Sequence, residues 1–508
     1  MTTRSSTDGG APDRPLPERT GVLVVGTGFA GLGTAVRLRE SGRTDFVVIE
    51  RGSDVGGTWR DNRYPGCACD VPSHLYSFSF APNPDWTRAF SAQPEIEAYL
   101  QRVAREHGVL PHVRFRTELL SAGWDDTAGC WRVETSRGPV VADVLVLGTG
   151  GLSEPAVPSL PGLDRFTGTT FHSATWDADH DLTGERVAVV GTGASAIQFV
   201  PHVQQRAAHL TLFQRTAPWV MPRRDRAISP LERRLYRAVP AAQKLSRAGI
   251  YAGRESWLLG FTVQPALMKV AERGARKLLE RQVPDPVLRA KLTPSYRLGC
   301  KRVLLSNDYY PALSQPNVDV VTTGVTEVRE RSVVDGNGDE HEVDTIIFGT
   351  GFQVADPPVA HRLTGKDGRT LAEVWSDTGM TAFHGTTVAG FPNLFFLVGP
   401  NTGLGHNSIV YMIESQIAYL VDALEQMAAR GLAVVEARQD LQDAWNARLQ
   451  EDLQGTVWNA GGCSSWYLDA GGRNTTLWPT FTLPFRRRLS RFDVAQYDTR
   501  PALRPVAA

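Results

Sequence analysis

The sequence predicts an α/β protein with two Rossmann-like dinucleotide-binding domains and a helical insertion in the second of them. Two glycine-rich turns, at residues 26–31 and 191–196, each follow a short apolar run and precede a helical pattern. A strand, a turn and a helix in this order form the nucleotide-binding unit, so the chain contains this unit twice. Between residues 223 and 296 apolar residues recur at helical spacing, which indicates the insertion. A length of 508 residues leaves room for two to four domains.

The first unit is complete in the sequence. Residues 21–25 form an apolar strand, the helix after the turn extends to about Ser41 with Gly42 as its C-cap, and residues 46–49 form the next strand. Glu50 follows that strand, where an acid accepts hydrogen bonds from ribose hydroxyls. A glycine motif by itself is weak evidence, but the strand, the helix and the acid together favour a dinucleotide site over a simple glycine turn.

The three glycines of the first turn have separate roles in such a site. Gly26 permits the tight turn, Gly28 lets a pyrophosphate approach the backbone, and Gly31 lets the helix pack on the strand. The N-terminus of the helix then faces the phosphates with its free N–H groups. Beyond Glu50, two glycines and Trp59 suit a wall against a flat ring; a surface loop with a structural tryptophan is the alternative.

The second unit repeats the order of the first. Residues 186–190 form its first strand, a helix follows the turn from Ile197 to Gln204, and residues 210–213 form its second strand.

The position after the second strand carries opposite charges in the two units. Arg215 stands as far beyond Gly191 as Glu50 stands beyond Gly26. An acid at this position repels a 2′-phosphate, whereas an arginine binds it bidentately. The first site therefore suits FAD and the second suits NADPH over NADH, with the Thr216 hydroxyl as a further donor. An ordinary surface arginine is the alternative for Arg215.

The insertion between residues 223 and 296 mixes leucines at helical spacing with many arginines and glutamates. A solvated helical subdomain is the first interpretation of this pattern. The second is that the apolar segment 257–261 lines a substrate tunnel or touches a membrane surface.

The composition argues against several classes of protein. The 54 basic and 54 acidic residues give a formal net charge of zero, which argues against nucleic acid as a partner. The five cysteines are scattered, and Cys67 and Cys69 are too close for a CxxC redox or zinc motif. We therefore expect reduced, packed thiols in a cytoplasmic protein, and no metal site. Residues 1–19 have the composition of a disordered tail, and no run is long enough to span a membrane.

Two segments resemble those of one family. Residues 55–70, Val-Gly-Gly-Thr-Trp-Arg-Asp-Asn-Arg-Tyr-Pro-Gly-Cys-Ala-Cys-Asp, resemble the FAD-site segment of type I Baeyer–Villiger monooxygenases, a branch of the class B flavin monooxygenases. Residues 166–177 fit the family fingerprint FxGxxxHxxxW, with Asp177 where the stricter pattern has proline. Residues 142–150 resemble the second flavin motif of two-dinucleotide enzymes in general, and residues 344–351 echo it and mark the predicted return to the FAD domain.

The resemblance implies roles for individual residues. Arg302 is the implied active-site arginine, which stabilises a developing anion, and Asp70 is the carboxylate that holds it beside the flavin. Lys301 joins Arg215 at the 2′-phosphate, and Trp466 lies on a mobile loop that closes over the nicotinamide ribose. The fingerprint histidine is implied in coupling the domains rather than in proton transfer; a purely structural histidine is the alternative.

These expectations define sets of residues and domains. The predicted cofactor-binding residues are Gly26, Gly28, Phe29, Ala30, Gly31, Glu50, Arg51, Thr58, Trp59, Asp70, Tyr76, Gly191, Gly193, Ala194, Ser195, Gln198, Arg215, Thr216, Lys301 and Trp466. The predicted domain-coupling residues are Phe166, Gly168, His172, Trp176 and Asp177. The predicted domains are a tail (1–19), an FAD-binding domain (20–152 and 344–508), an NADPH-binding domain (153–222 and 297–343) and the insertion (223–296).

For the whole chain the resemblance implies an NADPH- and O2-dependent flavin monooxygenase. Such an enzyme inserts one oxygen atom next to a ketone carbonyl, through a C4a-peroxyflavin, and gives an ester or lactone. There are two alternatives: an enzyme that oxygenates nitrogen or sulfur atoms, and a non-catalytic flavin-binding sensor. A disulfide reductase would need a spaced redox cysteine pair, which Cys67 and Cys69 do not supply. The expected partners are a small-molecule ketone and O2, and the expected assembly is a monomer or homodimer.

Overall fold

The computed structural model describes residues 14–502, apart from the side chain of Pro265. Most of the predicted tail lies outside the described residues, and the described chain enters its first strand at Arg19. Within the described range the strands are β1 (Arg19–Val25), β2 (Phe46–Ile49), β3 (Val113–Arg114), β4 (Leu119–Asp125), β5 (Cys130–Thr135), β6 (Gly138–Leu147), β7 (Thr169–His172), β8 (Arg186–Val190), β9 (His209–Phe213), β10 (Val220–Met221), β11 (Leu304–Leu305), β12 (Val318–Val321), β13 (Val325–Val328), β14 (Ser332–Asp335), β15 (Glu340–Glu342), β16 (Thr345–Phe348), β17 (Leu363–Thr364), β18 (Leu394–Phe396), β19 (Leu432–Ala437) and β20 (Tyr497–Pro501).

The described range also contains α-helices. They are α1 (Phe29–Glu40), α2 (Thr58–Asp61), α3 (Gln93–Glu106), α4 (Ala196–Gln204), α5 (Pro230–Ala238), α6 (Pro240–Glu255), α7 (Met268–Gln282), α8 (Pro286–Lys291), α9 (Tyr309–Leu313), α10 (Leu371–Thr378), α11 (Ile409–Arg430), α12 (Gln439–Gln454), α13 (Val457–Ala460) and α14 (Thr482–Arg488).

The first sheet has the strand order β17-β4-β5-β6-β1-β2-β3, with β18 added beside β6. Its central strand β1 runs parallel to both β2 and β6. Residues 22–25 of β1 are apolar and buried, as expected of a strand covered on both faces by other layers. Helices α1, α3 and α11 pack together on one face, so the turn between β1 and α1 opens at the carboxyl edge of the sheet.

The second sheet has the order β12-β9-β8-β16-β7 and is parallel throughout. Strand β8 has the predicted bounds, and α4 begins one residue before the predicted helix. Each of the two sheets has parallel strands at its core, and in each a glycine-rich turn and a helix follow one of these strands, β1 or β8. This arrangement confirms the predicted α/β class.

The predicted return to the first domain at residue 344 is too early. Strand β16 lies between β7 and β8, so the second sheet continues through Phe348. The reason is that the same sequence motif occurs once in each unit, at equivalent strands: β6 lies beside β1, and β16 lies beside β8. The glycine after each of these strands contacts the glycine-rich turn of its own unit, because the Gly148 and Gly349 carbonyls border Gly26 and Gly191 respectively.

The insertion consists of helices α5 to α8, joined between α6 and α7 by a π-helical stretch at Leu259–Val263 and a short 3-10 turn at Pro265–Leu267. It packs on the first unit, where Arg247 Nη1 donates hydrogen bonds to the carbonyl oxygens of His74 (2.7 Å) and Ser77 (2.9 Å). Arginines of a solvated subdomain would lack such contacts, so the inner face of the insertion belongs to the core of the molecule.

The cysteines correct one prediction. Cys67, Cys69 and Cys130 are free and buried, but Cys300 and Cys463 form a disulfide with their Cα atoms 6.1 Å apart. The expectation of reduced thiols throughout is therefore wrong. The two residues are 163 positions apart in sequence, and only the folding of the chain brings them together. Within residues 14–502, no helix is long and apolar enough to cross a membrane.

Candidate active site

The first glycine-rich turn has the predicted conformation. Gly26 has a φ of 98°, which favours glycine. A side chain at Gly31 would overlap the carbonyl oxygen of Gly26, so this position lets α1 approach the turn. Gly28 is the N-cap of α1, and a Cβ there would meet the Cα of Gly57 at 3.8 Å. The start of α1 therefore presents its backbone N–H groups to a ligand that approaches from this edge of the sheet.

Glu50 is buried and makes four hydrogen bonds. Its Oε2 accepts from the backbone N (2.9 Å) and hydroxyl (2.7 Å) of Thr27, and its Oε1 accepts from Gly52 N and Arg60 Nη1, both at 2.7 Å. Burial favours a raised pKa for this carboxyl, but the charge of Arg60 and the hydrogen bonds outweigh it and lower the pKa. Glu50 is thus an anion held in one place, and a ribose hydroxyl would compete with Thr27 for it.

A group of aromatic side chains follows Glu50. The indole N–H of Trp59 donates to the hydroxyl of Tyr76 at 3.1 Å, and the Phe29 ring meets Tyr76 edge-on at a centroid distance of 5.0 Å. Most residues predicted at the first cofactor line one cavity at the carboxyl edge of the first sheet: Gly26, Gly28, Phe29, Ala30, Glu50, Arg51, Thr58, Trp59 and Tyr76. Gly31 contributes by packing beneath this cavity.

Asp70 and Arg302 form a bidentate ion pair across 232 positions of sequence. Arg302 Nε lies 2.6 Å from Oδ2 and Nη2 lies 2.7 Å from Oδ1 of Asp70. Burial favours a raised pKa for Asp70, but the charge and hydrogen bonds of Arg302 outweigh it and lower the pKa. The charge of Asp70 in turn raises the pKa of Arg302. Both groups are ionised at neutral pH, and the planar fork of the guanidinium has one fixed orientation.

Two further groups hold this pair, and the sequence did not reveal either. Arg254, at the end of α6, donates through Nη2 to the backbone carbonyl of Asp70 at 2.9 Å. Arg302 Nη1 donates to the carbonyl of Leu404 at 3.3 Å. The buried Tyr467 lies close by, and burial raises its pKa to about 12. Arg254 lies in the helical insertion and Leu404 in a distant loop, and neither position carries a local signal.

The turn that carries Leu404 is itself fixed by Glu255, the last residue of α6. Glu255 Oε1 accepts from Asn407 Nδ2 (2.6 Å) and lies 3.1 Å from His406 Nε2, while Oε2 accepts from Thr482 N at 3.0 Å. Burial favours a raised pKa for Glu255, and these hydrogen bonds outweigh it and lower the pKa. Adjacent residues of the insertion, Arg254 and Glu255, therefore support the ion pair from two sides.

The second glycine-rich turn is more open than the first. Gly191 has a φ of 109°, and Gly193 and Ala194 are exposed. Arg215 is exposed beyond β9, and the pKa of Lys301 is lowered by burial and by the positive charge of Arg215. The two cations predicted at the 2′-phosphate are therefore near enough for their charges to interact, and Thr216 lies beside the turn, where its carbonyl accepts from Thr192 at 3.4 Å.

Gln198 differs from the other predicted residues of the second turn. Its side-chain amide bonds both backbone groups of Ala68: Nε2 donates to the carbonyl oxygen at 3.0 Å and Oε1 accepts from N at 3.2 Å. The hydroxyl of Tyr64 donates to the same Oε1 of Gln198 at 3.3 Å. The Gln198 side chain therefore ties α4 to the loop that ends at Asp70, in addition to its place at the predicted second site, while Ser195 directly precedes α4.

Similarity to known proteins shows the family to which the chain belongs. The family model for flavin-binding monooxygenase-like proteins matches residues 19–240. A Baeyer–Villiger monooxygenase from Streptomyces coelicolor is 56% identical over 98% of this chain and 96% of its own. One from Pseudomonas aeruginosa is 52% identical over 94% of this chain and 90% of its own. The chain belongs to the Baeyer–Villiger monooxygenases. The predicted family, enzyme class and flavoprotein character are thereby confirmed.

Solved structures agree with this assignment. A steroid monooxygenase bound to NADP superposes with a TM-score of 0.83 at 30% identity, covering 95% of this chain and all of its own. A closed cyclohexanone monooxygenase superposes with a TM-score of 0.84 at 28% identity, covering 96% of this chain and all of its own. These relatives support the Baeyer–Villiger reading, and nothing among them favours an enzyme that oxygenates nitrogen or sulfur.

The fingerprint of this Baeyer–Villiger monooxygenase contains β7, the edge strand of the second sheet, and the turn that follows it. The buried His172 ends β7, and its Nδ1 accepts from Ala174 N at 3.1 Å. Burial lowers the pKa of His172, so the ring is neutral and suits a structural coupling role rather than charge chemistry. The side chain of Trp176 packs against Phe171 and Phe199, with ring centroids 5.0 and 5.3 Å apart.

The remaining fingerprint positions have packing and turn roles. A side chain at Gly168 would overlap the Asp344 carbonyl oxygen, and the nearest side-chain carbon would be that of Phe166 at 2.6 Å. Asp177 Oδ1 accepts from the backbone N of Asp179 (3.0 Å) and His180 (3.2 Å). The departure from proline thus replaces a rigid residue by one that closes its own turn.

Trp466 lies 47% exposed on an irregular loop that is fastened at one end by the Cys300–Cys463 disulfide. The indole meets the buried Tyr467 edge-on at 4.6 Å. That this loop closes over the nicotinamide ribose stays a prediction. The disulfide joins the loop to Cys300, the residue before Lys301 and Arg302.

Proposed function

We propose that this enzyme uses FAD, NADPH and O2 to insert one oxygen atom beside the carbonyl of a ketone and releases an ester or lactone. The bidentate ion pair of Asp70 and Arg302 carries this proposal, because it fixes a permanent cation at the junction of the two nucleotide-binding units. An arginine held in this way stabilises negative charge that develops on a reacting oxygen. The family and the solved relatives point to the same reaction.

The residues of the first cavity fit FAD. The N-terminus of α1 is open at Gly28 and would receive the pyrophosphate, while Glu50 would receive ribose hydroxyls. The edge-on aromatic group of Trp59, Tyr76 and Phe29 would border the flat ring. FAD held by these residues would supply the chemistry of hydride acceptance from NADPH and of O2 activation.

The residues of the second turn fit NADPH. Arg215 and Lys301 are close enough for the charge of one to lower the pKa of the other, so a 2′-phosphate between them would relieve their repulsion. The exposed backbone at Gly193 lets the pyrophosphate approach α4. Trp466 would cover the nicotinamide end once its loop moves inwards.

The roles of the two catalytic residues follow from their geometry. Arg302 keeps its charge at all working pH values and would face the oxygen of the substrate carbonyl as that oxygen becomes anionic. Asp70 would orient Arg302 through both of its oxygens, and Arg254 would hold the backbone of Asp70. The side chains of Arg302 and Asp70 are 33% and 24% exposed, so a bound substrate that covers them would displace water, which otherwise competes for the same charge.

Turnover of the purified yellow protein with NADPH tests the proposal. A panel of cyclic, linear, aromatic and steroid-like ketones is supplied, and products are identified by mass. An ester or lactone one oxygen heavier than its ketone is the expected product. NADPH consumption with oxygenation of amine or sulfide substrates only would show that the reaction is assigned to the wrong substrate class.

A further inference from the structure

The outer face of the insertion is unusually apolar for a surface. Nine of the 15 exposed large aliphatic or aromatic residues of the described chain lie between residues 231 and 287. They are Leu231, Leu235, Val239, Leu245, Leu259, Val263, Leu267, Val270 and Val287. Scattered single residues of this kind are normal on a protein surface, but a concentration in one subdomain marks an interaction surface.

The same segment carries a large positive charge. Residues 230–291 contain 13 lysines and arginines against five aspartates and glutamates, a net charge of +8 in a chain whose formal net charge is zero. The rest of the chain is therefore acidic by the same amount. The charge of the insertion is a local property of the surface that carries the exposed apolar residues.

Helix α7 shows that the two properties share a face. Met268, Ala275, Leu278 and Leu279 are its buried residues. Val270 is 68% exposed, and the exposed Arg273, Lys277 and Arg281 follow it by three, seven and eleven positions, which places all four on the side opposite the buried one. Just before the helix, Val263 and Leu267 are 64% and 53% exposed. An apolar strip is thus continued by a row of cations.

We propose that the insertion docks this enzyme on an anionic lipid surface. A strip of aliphatic residues beside lysines and arginines is the composition with which interfacial helices bind membranes: the aliphatic side chains enter the headgroup region and the cations pair with acidic lipids. The proposed lipid-binding surface is the outer face of α7 together with the preceding stretch 259–267. The buried Leu258 and Phe261 belong to the core, so the docking residues are their exposed neighbours.

Charge complementarity favours an anionic lipid surface over a second copy of this chain as the binding partner. In a symmetric dimer the same patch would face itself, which would bring two segments of +8 together. An anionic bilayer instead presents a continuous negative surface to all of these cations at once. The ion pairs described for the insertion involve Glu232, Arg237 and Glu255, and they leave the row of cations on α7 free to act.

Sedimentation of the FAD-loaded full-length enzyme with lipid vesicles tests the proposal. Vesicles of phosphatidylcholine with phosphatidylglycerol are expected to bind the enzyme, with weaker binding at high salt, and vesicles of phosphatidylcholine alone are expected to bind it poorly. Absence of binding to the vesicles that contain phosphatidylglycerol would overturn the proposal.

Matched variants locate the surface. Two double variants are each expected to weaken vesicle binding at least about tenfold. The apolar variant is Val263→Asp with Leu267→Asp, and the charge variant is Arg273→Glu with Lys277→Glu. For the charge variant the reason is that each basic residue near such a surface contributes about fivefold. The apolar control is Val157→Asp with Leu483→Asp, two exposed positions outside the insertion. The charge control is Arg430→Glu with Arg491→Glu, both exposed and distant in sequence. Flavin absorbance of every variant verifies folding.

Equal weakening by the insertion variants and by their controls would overturn the proposal, since the binding would then be general. Sedimentation velocity without lipid tests the alternative that this surface binds a second copy of the chain. If the wild type self-associates, the Val263→Asp and Leu267→Asp variant dissociates, and vesicles are not bound, then the surface is a contact between two copies and the lipid proposal is wrong.

Discussion

The two nucleotide-binding units have the same plan and differ in how they hold the residue that selects the nucleotide. Glu50 is buried and accepts four hydrogen bonds, including one from Arg60. Arg215, at the equivalent position of the second unit, is exposed. The first unit is thus rigid around its charge before a ligand arrives, whereas the second presents its charge to solvent.

This difference matches two kinds of cofactor use. A cofactor that stays bound through many turnovers benefits from a preorganised site, because little ordering remains to be done on binding. A cofactor that is exchanged benefits from an exposed cation, which attracts a phosphate from solution and releases it again. We infer that FAD is resident in the first unit and that NADPH exchanges at the second. The following predictions test this contrast in order of expected effect.

Glu50→Ala is expected to have the largest effect, a loss of about 3–5 kcal/mol in the stability of the first unit, because it leaves the buried guanidinium of Arg60 without this partner. Bound flavin should fall with it. Thermal unfolding and the flavin-to-protein absorbance ratio measure both. Glu40→Ala breaks an exposed ion pair with Arg37 and should cost less than about 1 kcal/mol. Equal losses in the two variants would contradict a special role for burial at Glu50.

Arg302→Ala is expected to lower ester formation by about 10²–10³-fold, because the charge that stabilises the developing anion is lost. Arg302 lies where the units meet, so the variant should keep flavin and keep its reduction by NADPH. Product yield and the rate of flavin bleaching under anaerobic conditions distinguish the two steps. Arg132→Ala is the control, since Arg132 also binds an aspartate, Asp125, through two nitrogens, but on the surface. A wild-type yield from Arg302→Ala would remove it from the mechanism.

Arg215→Ala is expected to reduce the preference for NADPH over NADH by about 10–100-fold, the range of a charge-assisted hydrogen bond worth about 1.5–3 kcal/mol. Since Arg215 is exposed, the thermal stability of the enzyme should not change. The ratio of kcat/KM for the two nucleotides is the measurement. Arg331→Ala, an exposed arginine in the same unit, is the control and should leave the ratio unchanged. An unaltered ratio in Arg215→Ala would place the 2′-phosphate elsewhere.

Much of this contrast could be predicted from the sequence, because it rests on local spacing. The strands, the glycine-rich turns, and the acid and the cation after each second strand lie within about 30 consecutive residues of one another, the length of one such unit. The burial of Glu50 was not predictable in this way, since it depends on Arg60 folding back from α2. The return strand β16 was assigned to the wrong sheet, because one motif serves both units.

The parts of the site that join distant segments could not be derived from local patterns. The pairing of Asp70 with Arg302 came from the family resemblance alone. The sequence carries no local signal for the support that Arg254 gives from the insertion, and the five scattered cysteines favour reduced thiols over the disulfide that joins Cys300 and Cys463. Each of these contacts is made by tertiary packing, and neither partner carries a sequence signal for the other.

Acidification is expected to separate the two units by the smallest of these effects. The pKa of Glu50 is lowered below its usual value of 4.5, so its contribution to stability is fully present above pH 4.5 and is lost only as the pH falls through the lowered pKa. A phosphate monoester loses half of its second charge near pH 6, so the 2′-phosphate binds Arg215 less strongly below that pH. Between pH 7 and pH 5 we therefore expect flavin to stay bound while the KM for NADPH rises a few-fold, and the KM for NADH, which lacks this phosphate, serves as the internal reference. In Arg215→Ala the rise should be smaller, because one of the two cations proposed at the phosphate is gone and only Lys301 remains. Release of flavin over the same interval, or an equal rise for NADH, would show that the two units do not differ in the way their buried and exposed charges indicate.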